Sequence, residues 1–176
     1  MITLVAISIA AILFYLGQHA GAFLIIFGVA AKYLSPFILT VVSLPGRFVA
    51  FPNNSNKRSK TRLALGTIIS IFAQSCVYLV YAAFIVKWTI SAISTQAASV
   101  MIWPIALLAV IVPFGFAVSV FRNSVKETEH ALKDMPEATK KVIGGPEIEI
   151  FSMLAQASLI AFFLTMVGFC IFVFVF

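Results

Sequence analysis

Inside the first apolar run of the chain, the stretch FYLGQHAGAF places Tyr15, Gln18 and His19 where hydrocarbon would be expected. An imidazole is the side chain best suited to proton exchange near neutral pH, and it can also ligate a metal or a haem. Lipid satisfies none of its hydrogen bonds, so a histidine within a span needs a partner. On a helix turning about 100° per residue, Ser8, Tyr15 and His19 share one face, with Gln18 at its edge. Tyr15 and His19 are four apart and can touch. A second set lies further on. Thr67, Ser70, Gln74, Tyr78 and Tyr81 recur at spacings of three and four and form one hydrogen-bonding stripe. Together the two sets predict an intramembrane polar network, with a buried His19 bonded to the stripe. A stripe of this kind either joins helices or lines a wet path.

Neither set makes an active site. All six acidic residues fall between Glu127 and Glu149, outside every apolar segment. That weighs against proton- or sodium-coupled transport, which generally uses intramembrane carboxylates. His19 with Cys76 or Cys170 is too scattered a set to hold a metal, and no metal or cofactor is expected. A haem bracketed by the histidines of two chains is the only cofactor geometry left. No Ser-His-Asp set, G-x-S-x-G, H-E-x-x-H or phosphate loop occurs, so the chain reads as non-enzymatic. Cys76 and Cys170 read as small buried thiols, and His130 as a solvated helix residue.

The elements that must position these groups are membrane helices. Of 176 residues, 62% are hydrophobic and only 10% charged, and mean hydropathy is +1.10. Soluble domains carry about 25% charged residues. The length suits one domain, residues 1–176. Four stretches reach the roughly 20 residues that a span requires: 2–31, 63–86, 100–121 and 150–176. The segment near 33–51 is interrupted by Pro36, Pro45-Gly46 and Arg47 and reads as an extra interfacial or re-entrant element. The expected fold is therefore an all-α integral membrane protein, a four-span transmembrane helical bundle with that one addition. The apolar start lacks the basic flank of a signal peptide and reads as a retained span.

Basic residues give the orientation. Arg47, Lys57, Arg58, Lys60 and Arg62 surround the loop 52–62, and Arg122, Lys126, Lys133, Lys140 and Lys141 lie in the loop 122–149, whereas the connection between them holds Lys87 alone. The two rich loops should be cytoplasmic, with both termini outside. The expected location is the bacterial inner (plasma) membrane. Lys57, Arg58, Lys60 and Arg62 are positioned to meet anionic lipid headgroups, at about 1 kcal/mol per charge. In the second loop, Ser124 and Glu127 match a capping box, and Gly144-Gly145-Pro146 is a stop signal.

The first span also carries a line of small residues: Thr3, Ala6, Ala10, Gly17, Gly21, Gly28 and Ala31, all within about 40° of one line along the helix. Gly17 and Gly21 make a G-x-x-x-G. Such a seam lets a second backbone approach closely, within one bundle or between chains. Pro113 predicts a kink in the third span. The functional expectation is a non-catalytic subunit that oligomerises and docks a cytosolic or peripheral protein through Lys126, Glu127, Glu129, Lys133, Lys140 and Lys141. No nucleic-acid partner is expected. The alternative is a small oligomeric channel or transporter with a polar path along the second span.

Overall fold

The computed structural model describes residues 1–52, 59–92, 95–139 and 145–175, without the side chains of 91–107, 138, 145–146 and 172–175. The elements are α1 (Ile2–Tyr15), α2 (His19–Val42), α3 (Leu44–Ala50), α4 (Lys60–Ala92), α5 (Thr95–Lys133), α6 (Glu137–Thr139) and α7 (Gly145–Val175). Among the described residues, four helices are long and apolar enough to cross a membrane: His19–Val42, Lys60–Ile90, Leu108–Lys133 and Glu147–Ile171. The fold is thus a four-span helical membrane bundle. The number of spans agrees with the sequence reading, and the first of them lies elsewhere than expected.

The apolar run 2–31 does not form one helix. Gly17 adopts φ +77, the left-handed conformation that an L side chain opposes. The Gly17 N–H donates to the Phe14 carbonyl at 3.1 Å and the Gln18 N–H to the Leu13 carbonyl at 2.8 Å. That pair of bonds is the Schellman cap, which ends a helix at a glycine. α1 then folds back along α2, and the hydroxyls of Thr3 and Tyr33 meet at 3.0 Å. With 14 residues, α1 is about 21 Å long, short of the roughly 30 Å hydrocarbon layer.

The break moves the span downstream. α2 takes in residues 33–42 of the expected interfacial segment, and only Leu44–Ala50 forms a separate short helix there. Pro36 does not stop α2. It removes the N–H that would have bonded the Lys32 carbonyl, and the Ser35 hydroxyl lies 3.2 Å from that oxygen. The same hydroxyl reaches the Pro113 carbonyl of α5 at 2.9 Å. Hydroxyls commonly satisfy backbone freed by proline in membrane helices.

The chain breaks again at Ser43, whose carbonyl accepts the Arg47 N–H at 3.0 Å, and α3 lies along α4. The approach there is backbone to backbone. A Cβ on Gly66 would strike the Gly46 carbonyl and come within 2.7 Å of the Ala50 Cβ. The core joins α2, α4, α5 and α7 through Leu39, Tyr78, Ala82, Phe114, Ala117, Leu154 and Ala161. Its alanines allow close packing where lipid provides no hydrophobic drive between helices. Ile68, Phe72, Val80, Phe163 and Leu164 point outward, as lipid-facing residues do.

α5 continues unbroken to Lys133. The Ser124–Glu127 capping box is therefore not formed. Ser124 sits inside the helix, its hydroxyl donating to the Val120 carbonyl at 3.0 Å, and Thr128 repeats the pattern one turn on, donating to Ser124 at 2.7 Å.

Candidate functional site

The α4 stripe lies at the centre of the bundle. Ser70, Gln74 and Tyr78 are fully buried, and Thr67 and Tyr81 half-buried. The Gln74 amide donates to the Ser43 hydroxyl at 2.7 Å. Ser70 lies against Gly46, whose missing side chain leaves room for it. The Tyr78 hydroxyl donates to the Ser158 carbonyl of α7 at 3.3 Å, and its ring meets Phe114 edge-on, with centroids 4.1 Å apart. Tyr81 stacks on Phe27 at 5.4 Å. Thr67 turns inward on its own helix and bonds the Leu63 carbonyl at 2.8 Å. These bonds tie α3, α4 and α7 together. Four buried atoms nevertheless lack a partner among the described residues: Ser70 Oγ, Gln74 Oε1, Tyr81 Oη and Ser158 Oγ.

The other half of the expected network is elsewhere. Ser8, Tyr15, Gln18 and His19 are all exposed, and Tyr15 is 90% so. His19 is the first residue of α2, its ring edge-on to Phe14 at 4.7 Å. A buried His19 bonded to the α4 stripe does not form, because the Gly17 turn leaves His19 at the hairpin tip instead of on a span interior. The small-residue seam is divided by the same turn. Thr3, Ala6 and Ala10 belong to α1, where Ala10 is buried; Gly21, Gly28 and Ala31 belong to α2. Gly21 faces Leu13 across the hairpin at 3.6 Å, while Gly28 meets nothing within 4 Å. Cys76 and Cys170 are exposed and unbridged, not the buried thiols expected, since each lies on the outward face of its helix.

The break also reveals a residue that the sequence reading passed over. Counted from Met1, Lys32 follows the first span; counted from His19, it is in the middle of it. Its ammonium nitrogen lies 4.8 Å from the centroid of Phe116 and 5.3 Å from that of Tyr33. Lys32 is half-buried at the edge between α2 and α5. The signal available in the sequence was the order Leu16-Gly17-Gln18, a glycine placed as a helix stop.

The polar end of the bundle carries the charged groups. A groove of about 540 Å³ between α4 and α7 is lined by Lys60, Thr67, Glu149, Ser152 and Gln156 together with apolar side chains. Lys60 and Arg62 are exposed at the start of α4, and Lys126, Glu127, Glu129 and Lys133 are exposed on the last turns of α5. Lys57, Arg58, Lys140 and Lys141 lie outside the described residues. No cluster of metal-ligating side chains occurs among the described residues. Compared with protein-family models, with curated proteins and with solved structures, the chain has no match.

Proposed function

We propose that the protein is a non-catalytic subunit of a bacterial inner-membrane complex, one that oligomerises and docks a cytosolic or peripheral partner. The observation that carries this reading is the uninterrupted run of α5. Phe121 is its last buried residue, and the helix continues from Arg122 to Lys133 for about 18 Å. An arm rigidly continuous with a span presents both signs of charge at fixed positions: Lys126 and Lys133 with Glu127 and Glu129. The positive-inside rule puts this arm and the start of α4 in the cytoplasm, with His19 outside. Lys57, Arg58, Lys60 and Arg62 would then hold anionic headgroups, and Lys140 and Lys141 would extend the docking surface.

The test is the mass and composition of the complex extracted in mild detergent. The expected result is more than one chain per particle with a stoichiometric second component. Replacing residues 125–143 by a flexible linker should release that component and leave the membrane part intact. An unchanged complex after the replacement would overturn the docking role.

A further inference from the structure

A lysine in the middle of a span needs an answer to its charge. We infer that Lys32 is the intramembrane docking charge for a transmembrane helix of a different protein, one that carries an Asp or Glu at the corresponding depth. The inference stands on Lys32 and is independent of the α5 arm.

Depth comes first. α2 runs from His19 to Val42, which leaves Lys32 about 20 Å from one end and about 15 Å from the other. A lysine stem does not cover such a distance, and here the ammonium is turned toward Phe116 and Tyr33. A charge at such depth is costly to place in hydrocarbon. Cation–π contacts with the two rings offset part of that cost. They reduce the cost without removing it.

The chain offers no countercharge. Its six acidic residues lie between Glu127 and Glu149, at the end of α5, beyond it, or at the start of α7. Glu127 is about 16 Å further along α5 than Phe116. For the same reason a second copy of this chain cannot bring an acid to Lys32. An anion that pairs with Lys32 has to come from another molecule.

The surface beside Lys32 is shaped for a helix. Gly28 is one turn earlier on the same face of α2, and a Cβ there would meet nothing within 4 Å. With Leu24, Ile25, Leu108, Ala109 and Val112 it lines a shallow apolar groove of about 300 Å³ between α2 and α5. Intramembrane helices associate over such small-residue notches, held by polar groups. A partner helix lying in the groove reaches the half-exposed Lys32 one turn past Gly28.

The experiment uses the full chain in phosphatidylcholine vesicles with a synthetic leucine–alanine transmembrane helix bearing one central Asp. Matched helices carry Asn or Leu instead, and association is followed by energy transfer. The Asp helix should bind about tenfold more tightly than the Leu helix, a difference of about 1.4 kcal/mol, with Asn between them. Lys32→Leu should abolish the preference and Lys32→Arg should keep it. Gly28→Leu should weaken binding of all three helices. Equal binding of the Asp and Leu helices, or a preference that survives Lys32→Leu, would overturn the proposal. So would loss of the preference when phosphatidylglycerol is added, which would assign Lys32 to a lipid phosphate. Unchanged binding in Gly28→Leu would overturn the groove as the docking path.

Discussion

The side-chain amide of Gln74 donates to the hydroxyl of Ser43 across 2.7 Å, joining the middle of α4 to the point where α2 gives way to α3. Both residues are fully buried. One turn below, Ser70 lies against Gly46, and one turn above, Tyr78 reaches Ser158 of α7. The polar stripe therefore acts first as an internal joint.

Ser43→Ala and Gln74→Leu should differ in cost. The alanine leaves both ends of a buried amide unpaired, since Gln74 Oε1 already has no partner. That loss is about 1–3 kcal/mol. The leucine removes the amide and leaves only a hydroxyl, which can turn to the carbonyl of Leu39, four residues back, as Thr40, Thr89 and Thr165 do to theirs. Reversible unfolding in mixed micelles should rank Ser43→Ala as the more damaging. The double-mutant cycle should give a coupling of about 0.6 kcal/mol, the average for such bonds in membranes. A coupling of zero would show that the bond does not hold the joint.

Glycines in the spans should divide into two kinds. Gly66→Ala puts a methyl against the Gly46 carbonyl and 2.7 Å from the Ala50 Cβ, so α3 must move away from α4. Overpacking of this kind costs about 1–3 kcal/mol. At Gly115 a Cβ meets nothing within 4 Å, and alanine there should be neutral or stabilising by up to about 1 kcal/mol through helix propensity. Thermal unfolding of the two variants in one detergent checks the contrast. Equal melting temperatures would mean that α3 is not held on α4 by backbone approach.

Gly17 shows what the sequence could and could not decide. Hydropathy and length gave four spans because the energetic demand of a bilayer is a property of composition. The α4 stripe was legible because residues three and four apart share a face whatever surrounds them. GQHAG is different. A glycine at a helix packing seam and a glycine at a helix stop have the same spelling, and spacing does not separate them. The left-handed turn at Gly17 settles the matter through backbone bonds to Phe14 and Leu13, and it shifts everything after it. His19 moves to a tip and Lys32 to mid-span. Pro36 hid the continuation of α2, since the hydroxyl that tolerates it is supplied by Ser35 against a helix far away in sequence. Ser124 misled for a related reason: its capping pattern is local, while the continuity of α5 is set by the whole helix.

The hairpin itself can be measured. In a chain with Cys76 and Cys170 replaced by Ala, cysteines at Leu13 and Gly21 should be joined efficiently by a short bifunctional thiol reagent, because Leu13 lies 3.6 Å from the Cβ position of Gly21. Adding Gly17→Val should slow that reaction severalfold. A branched side chain in the left-handed region costs roughly 1–2 kcal/mol, which frees α1 from α2. If the pair does not crosslink even with Gly17 present, α1 continues into α2 and the placement of Lys32 is wrong.

His19→Phe should change little. The imidazole is exposed at the hairpin tip, with the Phe14 ring edge-on at 4.7 Å, and a phenyl ring can make the same contact. Surface replacements away from caps and cores usually stay within about 0.5 kcal/mol. Particle mass in mild detergent and the melting temperature should both match the parent chain. The comparison with Lys32 gives the measurement its force. Both residues are ionisable and both fall in the apolar run of the first 42 residues. Only Lys32 is carried to mid-span by the Gly17 turn, where a charge is costly. A His19→Phe chain that lost its assembly would reverse that order and return the polar role to the hairpin tip.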